Sequence, residues 1–252
     1  MNYKLRNLAL FTTHECRADK NGLGCRHCLV DGTEDGIHIP TNYIEQVFET
    51  FSEIDQLNIY GGEPADNING LLDIGRLAKE SKTPVRQLSL CTCGLGFDEL
   101  TEALEQVKSD LDIASGKFTF VCAVVSGHSL VQGALRRQGY DPEQVLDNVR
   151  RLTELHPKLA LPIRSTLPKP FAKSGRAQNF KNAVEFPAQP LFSNPSDAQT
   201  GLCNKIVIKA DGFVTGHDYR THAYVRLAGN HYGDLKNETL GTIVKREKDK
   251  LI

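Results

Sequence analysis

The sequence predicts an α/β fold in which helices pack against a parallel sheet. Three observations carry this reading. Apolar, β-prone runs alternate with helix-patterned segments. The connections between them are short. Five such β–α units fit into the first ~170 residues, at about 30 residues or more per βαβ unit.

Residues 8–12 read as the first strand. Residues 41–51 read as a helix, with Thr41 as its N-cap and Ile44, Val47, Phe48 and Phe51 on one face. Residues 56–60 form a short strand that ends at Gly61 and Gly62. A helix is expected over 71–79, a strand over 87–91 and a helix over 97–107. Asp98 and Glu99 sit in the first turn of that last helix, where acidic groups complement the helix dipole. Residues 118–125 are a strongly apolar strand, 142–155 a helix, and 159–166 a further strand interrupted by Pro162. After Leu167 the composition shifts. Pro168, Pro170, Pro187, Pro190 and Pro195 crowd a segment with few periodic features, the mark of a long irregular connection. Residues 205–209 and 213–215 flank Asp211 and Gly212, a pair that favours the tight turn of a β-hairpin. The expected division is therefore 1–167 and 168–252.

Bulk properties narrow the class. At 252 residues the chain fits one large domain, or one domain with a small appendage, and buries most of its apolar surface without staples. With 40% hydrophobic and 24% charged residues it is neither disordered nor fibrous in composition. A formal net charge of -1 gives no general electrostatic affinity for nucleic acid or an anionic membrane. No apolar run approaches the roughly 18 residues of a membrane span. The N-terminus has neither a long apolar core nor a small-residue cleavage site, so cytoplasmic residence is expected. Seven cysteines, an odd number, make a poor disulfide framework. Reduced thiols with a metal or catalytic role are expected for some of them.

Cys16, Cys25 and Cys28 lie just after the first strand. Gly22 and Gly24 let that loop fold tightly around a ligand, and its other residues are mostly polar, including Arg17, Asp19, Lys20, Asn21, Arg26 and His27. Such surroundings do not suit cysteines buried as small hydrophobes. Thiolate is the usual protein ligand of Fe–S clusters, and a short C-x2-C pair recurs in such sites. Three cysteines leave one iron of a [4Fe–4S] cluster open to a substrate or cofactor. A structural zinc site, completed by His14 or His27, is the alternative.

Further residues fall at the ends of later strands. Gly61-Gly62-Glu63-Pro64 follows the second, Thr92-Cys93-Gly94 the third and Val125-Ser126-Gly127 the fourth, with Arg136 in a loop before the next helix. In parallel α/β folds the chemistry sits at these C-terminal strand ends. This order resembles the radical S-adenosylmethionine (radical SAM) superfamily over nearly the whole chain. The resemblance implies a partial (β/α)6-type barrel with a small C-terminal α+β extension. It implies a [4Fe–4S] cluster on Cys16, Cys25 and Cys28, whose fourth iron is chelated by S-adenosylmethionine. Gly61, Gly62 and Glu63, followed by Pro64, would meet the methionine amino group. Ser126 would bind the ribose or methionine part, and Arg136, with Arg137 as an equally basic neighbour, would pair with the carboxylate. His27 would lie against the adenine. The implied chemistry is reductive cleavage to methionine and a 5′-deoxyadenosyl radical, which abstracts a substrate hydrogen. An electron donor such as flavodoxin or ferredoxin would be a partner. The first cysteine gap, eight residues rather than the commoner three, and Cys93 in place of a frequent asparagine depart from the family pattern.

The C-terminal part resembles SPASM and twitch extensions, which bind auxiliary Fe–S clusters in enzymes that modify peptides and proteins. The residues that carry this are Gly175-Arg176-Ala177, Cys203 with its hairpin, Gly229-Asn230 and Asn237-Glu238-Thr239-Leu240. No cysteine follows Cys203, and His217 stands where another ligand is expected, so no auxiliary cluster is expected. Cys203 with His217, Asp218 and His222 is a candidate metal set, with a cluster-free remnant as the preferred reading. Cys91 and Cys122 read as buried structural thiols, and Cys93 as facing the active site. Three functions follow: a radical SAM enzyme acting on a peptide or protein; one acting on a small molecule such as a modified purine or nucleotide; or a zinc-binding or redox-sensing module.

Overall fold

The computed structural model describes residues 3–19, 24–25, 36–116, 118–159, 162–164, 190–216 and 231–252. In chain order the strands are β1 (Tyr3–Phe11), β2 (Phe51–Tyr60), β3 (Val85–Thr92), β4 (Thr119–Val124), β5 (Leu202–Ile208), β6 (Phe213–Thr215) and β7 (His231–Asp234). The helices are α1 (Thr41–Thr50), α2 (Ile68–Ser81), α3 (Phe97–Ser115), α4 (Ser129–Arg137), α5 (Pro142–Leu155), α6 (Pro195–Thr200) and α7 (Leu240–Asp249). Single 3-10 turns cover Pro64–Asp66 and Pro157–Leu159.

The strands form one sheet in the order β4-β3-β2-β1-β5-β6-β7. Pairings from β4 across to β5 are parallel, and β5-β6 and β6-β7 are antiparallel. Among the described residues the sheet ends in two edges, so the barrel is partial. Helices α1, α2 and α3 pack on one face of the sheet. Successive strand residues point to opposite faces. On one face Leu8, Leu10, Leu57, Ile59, Leu88, Leu90, Ile206 and Ile208 pack in a single apolar core with Ile44 and Val47 of α1, Leu71 and Ile74 of α2, and Leu100, Leu104 and Leu111 of α3. Full burial of each such side chain contributes roughly 1.5–3 kcal/mol. On the other face stand Asn7, Gln56, Asn58, Ser89 and Cys91, together with an apolar group of Ala9, Phe11, Val207 and Tyr60.

Several elements differ from the sequence reading, each for a local reason. Pro40, not Thr41, is the N-cap of α1, and Thr41 is its first helical residue. Phe51 is extended rather than helical, because it opens β2 and pairs with Tyr3. The helix expected over 97–107 runs on to Ser115 and stops at Gly116. Among the described residues of the strand expected over 159–166, Ile163 makes a parallel bridge with Val124, after the turn at Pro157–Leu159, while residues 160, 161, 165 and 166 lie outside the described residues. The Asp-Gly hairpin is present, with Val207 opposite Thr215 and Ile208 opposite Val214. Its first strand also lies in parallel on β1, with Leu5 opposite Cys203 and Leu8 opposite Ile206. Residues from the last part of the sequence therefore extend the sheet built by the first. No described helix is long and apolar enough to cross a membrane.

Candidate active site

The parallel strands β1 to β4 deliver their C-terminal ends to one edge of the sheet, and the candidate residues lie there. β1 leads into Thr12 and Thr13, both fully buried. The Thr13 carbonyl accepts from Gly62 N–H at 3.0 Å, and the Glu15 carbonyl accepts from Glu63 N–H at 2.9 Å. The segment leading to Cys16 is thus stitched to the Gly61–Pro64 loop. This contact leaves no room for side chains. A Cβ on Gly62 would lie 1.7 Å from the Glu15 oxygen, and one on Gly61, at φ 153°, would lie 2.6 Å from the Thr13 oxygen.

Asp66 makes a second tie. Its carboxylate accepts from Arg17 N–H at 2.7 Å and from the Arg17 Nε–H. Arg17 Nη2 also donates to the Ala65 carbonyl at 3.0 Å. Asn67 then caps α2 by accepting from Gly70 N–H at 3.1 Å, while its own amide donates to the Thr12 carbonyl at 2.7 Å. At the other end of the cysteine loop, buried Asp19 accepts from Gly24 N–H at 2.9 Å. Arg137 donates to the Gly24 carbonyl at 2.7 Å. Cys16 and Cys25 are partly exposed and pack against a small apolar cluster containing Cys93, Leu95, Val131 and Leu135. Cys28 and His27 lie outside the described residues, as do Gly175, Arg176, Ala177, His217, Asp218, His222, Gly229 and Asn230. Among the described residues no three metal-ligating side chains converge.

Glu63 is 2% exposed. Its carboxylate accepts from the Thr92 hydroxyl at 2.5 Å and from Cys93 N–H at 2.8 Å. Burial pushes this carboxyl above the ordinary range, and the hydrogen bonds from Cys93 and Thr92 oppose that rise. Burial, with Glu63 and Cys16 nearby, pushes the Cys93 thiol well up. Ser126 is fully buried, and its Oγ has no hydrogen-bond partner among the described residues. It lies 3.5 Å from where a Cβ on Gly94 would stand. An orphaned buried hydroxyl carries a desolvation cost, so it marks a place where a polar ligand atom is expected.

The sequence-predicted residues Cys16, Gly61, Gly62, Glu63 and Pro64 meet in one loop cluster. Cys25 joins them through the shared apolar cluster with Cys16 and Cys93. Arg136 is not in a loop: it occupies the last turn of α4, next to Arg137. Cys91 is exposed rather than buried, because it faces away from the helix-packed core, whereas Cys122 is fully buried as expected. Cys203 is also fully buried, opposite Leu5 in the sheet. Sequence reasoning missed Arg17, Asp66, Asn67 and the hydroxyl of Thr92. Only Asn67 carries a local signal, as an asparagine standing before a helix.

The family model of the radical SAM superfamily matches residues 16–163, more than half of the chain. The chain belongs to that superfamily. It is a radical SAM enzyme, and its cofactors are a [4Fe–4S] cluster and S-adenosylmethionine, which sets aside the zinc alternative. Two solved structures are similar at low identity. One is native anSMEcpe with bound AdoMet and a Cp18Cys peptide: 12% identity, 99% of this chain and 82% of that chain covered, TM-score 0.41. The other is native anSMEcpe with bound AdoMet: 11% identity, coverages of 98% and 83%, TM-score 0.41. Comparison with curated proteins gave no match.

The described residues fit these cofactors. Two of the three predicted thiolate ligands, Cys16 and Cys25, stand partly exposed, and Cys16 lies beside a glycine pair that admits only backbone. A buried carboxylate and an unpaired buried hydroxyl lie at the neighbouring strand ends.

Proposed function

We propose that this radical SAM enzyme modifies a peptide or protein in the cytoplasm, with Cys16, Cys25 and Cys28 holding the cluster. Bound there, the cluster and S-adenosylmethionine supply a 5′-deoxyadenosyl radical, which abstracts hydrogen from substrate. The observation that carries the site assignment is the segment leading into Cys16, whose Thr13 and Glu15 carbonyls accept from Gly62 and Glu63 N–H, so that it is held on a glycine pair followed by the buried Glu63.

The chain's own residues then have defined tasks. Gly61 and Gly62 let the backbone approach the methionine amino group, and Glu63 complements its charge. Pro64 starts the turn that carries Asp66, the anchor of Arg17. The Ser126 hydroxyl meets the ribose or methionine part of the cofactor. Arg136 or its neighbour Arg137 pairs with the carboxylate, and His27 lies against the adenine. Flavodoxin or ferredoxin supplies the electron. The peptide reading is supported by the order of residues in 168–252, which follows SPASM and twitch extensions without a second cysteine after Cys203.

A second reading, a small polar substrate such as a modified purine or nucleotide, is favoured by one feature. Asn7, Gln56 and Asn58 close a ring of amide hydrogen bonds of 3.1–3.2 Å on the sheet face opposite the helices. Asn7 and Gln56 are half-buried, so this face offers amide groups to a polar ligand.

The test is anaerobic reconstitution, with iron and sulfide counted in the wild type and in a triple alanine variant of Cys16, Cys25 and Cys28. Dithionite and S-adenosylmethionine are then added and 5′-deoxyadenosine assayed. About four irons per chain, lost in the variant, with 5′-deoxyadenosine from the wild type alone, is the expected result. Bound zinc without sulfide would overturn the cluster assignment. Faster 5′-deoxyadenosine formation with a peptide library than with a set of purine nucleotides separates the two substrate readings.

A further inference from the structure

Glu63 poses a physical problem. A carboxylate 2% exposed loses most of its hydration, and its solvation must be replaced by donors fixed in the protein. Nearly all of those donors come from one dipeptide at the end of β3. The Thr92 hydroxyl donates to Oε1 at 2.5 Å, and Cys93 N–H donates to Oε2 at 2.8 Å. The remaining donor, Ala65 N–H at 3.4 Å, is long. Thr92 is itself held. Its oxygen accepts from Gly94 N–H at 3.0 Å, which leaves its single proton for Glu63. Thr92 ends β3 and pairs with Val124 of β4, and its carbonyl accepts from Val125 N–H at 2.9 Å, so its backbone is fixed by the sheet.

We infer that Thr92 is a positioning residue for cofactor binding: its hydroxyl fixes the Glu63 carboxylate in the orientation that receives the methionine ammonium. The inference rests on the S-adenosylmethionine reading of Glu63 given above. Cys93 shares the task mainly through its backbone N–H, so its side chain contributes less. Two donors, one on each carboxylate oxygen, lock the carboxylate plane, and a locked acceptor loses less entropy when the ligand arrives.

The test uses the anaerobically reconstituted full chain and reads S-adenosylmethionine affinity by calorimetry, not turnover. Thr92→Val is expected to weaken binding about 10- to 100-fold, the equivalent of one hydrogen bond to a charged group. Thr92→Ser restores the hydroxyl and is expected to return affinity to within about threefold of the wild type. Iron content in all variants should equal that of the wild type. Because Thr92→Val also releases Gly94 N–H, the same substitution is made in a Glu63→Gln background. If Thr92 acts through Glu63, the two losses are non-additive there. Additive losses, an unchanged affinity in Thr92→Val, or equal weakening by Thr92→Ser would overturn the inference. Failure of the wild type to bind S-adenosylmethionine at all would instead defeat the functional reading on which it rests.

Discussion

Two pairs of cysteines in this molecule share a side chain and nothing else. Cys16 and Cys25 are partly exposed at the strand-end edge of the sheet, beside backbone and charged groups that hold their loop. Cys122 and Cys203 are fully buried in β4 and β5. Burial pushes both of these thiols far above the ordinary range. A thiolate ligand needs access and a polar surround. The first pair has them; the second pair serves as small apolar filling. The difference lies in where the sheet puts each residue, since all four are written with the same letter.

The largest expected effect tests the first pair directly. Cys16→Ala or Cys25→Ala should abolish both cluster iron and 5′-deoxyadenosine formation, while Cys122→Ala leaves the iron count intact. If Cys122→Ala lost iron as well, the comparison would fail.

Next in size is the anchor of the loop. The Asp66 carboxylate is 4% exposed and holds both the backbone and side chain of Arg17. Asp66→Ala should cost about 2–3 kcal/mol, or a fall in Tm of roughly 5–10 °C for a chain of this size. It should also lower iron retention on gel filtration. Unchanged iron retention in a destabilised variant would mean that Arg17 and Asp66 support the fold and not the cluster.

Ser126→Ala should weaken S-adenosylmethionine binding about 3- to 10-fold, the worth of one neutral hydrogen bond. Its Oγ has no partner among the described residues, so Tm should hold or rise slightly. A drop in Tm without loss of affinity would assign the hydroxyl to structure.

The smallest effects concern the second pair. Cys122→Ala should cost about 1 kcal/mol for the small void it leaves. Alkylation of apo-protein with iodoacetamide at pH 8 should modify the partly exposed Cys16 and Cys25 first, with the exposed Cys91 slowed by its raised pKa. Cys122 and Cys203 remain protonated and inaccessible at that pH, because both shifts are upward. Mass mapping of the labelled peptides checks the order.

Much of the fold was legible because strand and helix periodicity and glycine placement are local signals. The alternation from β1 to β4, the α1, α2 and α5 helices and the Asp-Gly hairpin all rest on such patterns. The Thr41 hydroxyl donates to Asp73 of α2 instead of capping α1, and the bridge at Ile163 joins segments distant in sequence. α4 was missed because it is only nine residues long and its polar content hides a short apolar face. That omission placed Arg136 in a loop. Cys91 was misjudged because an apolar strand has two faces, and only the pairing register shows which one meets the helices.

By itself the sequence determined the spacing of Cys16, Cys25 and Cys28, the Gly61-Gly62-Glu63-Pro64 loop and the β–α order that sets them at strand ends. Those are one-dimensional properties, and they suffice to mark the superfamily. Tertiary structure decided the rest: that Asp66 holds Arg17, that Thr92 and Cys93 solvate Glu63, that the Ser126 hydroxyl has no partner among the described residues, and that β5 lies beside β1 across about 190 residues of chain. Burial and hydrogen-bond satisfaction are properties of assembled neighbours. A residue's charge, access and partners exist only once the sheet has brought those neighbours together.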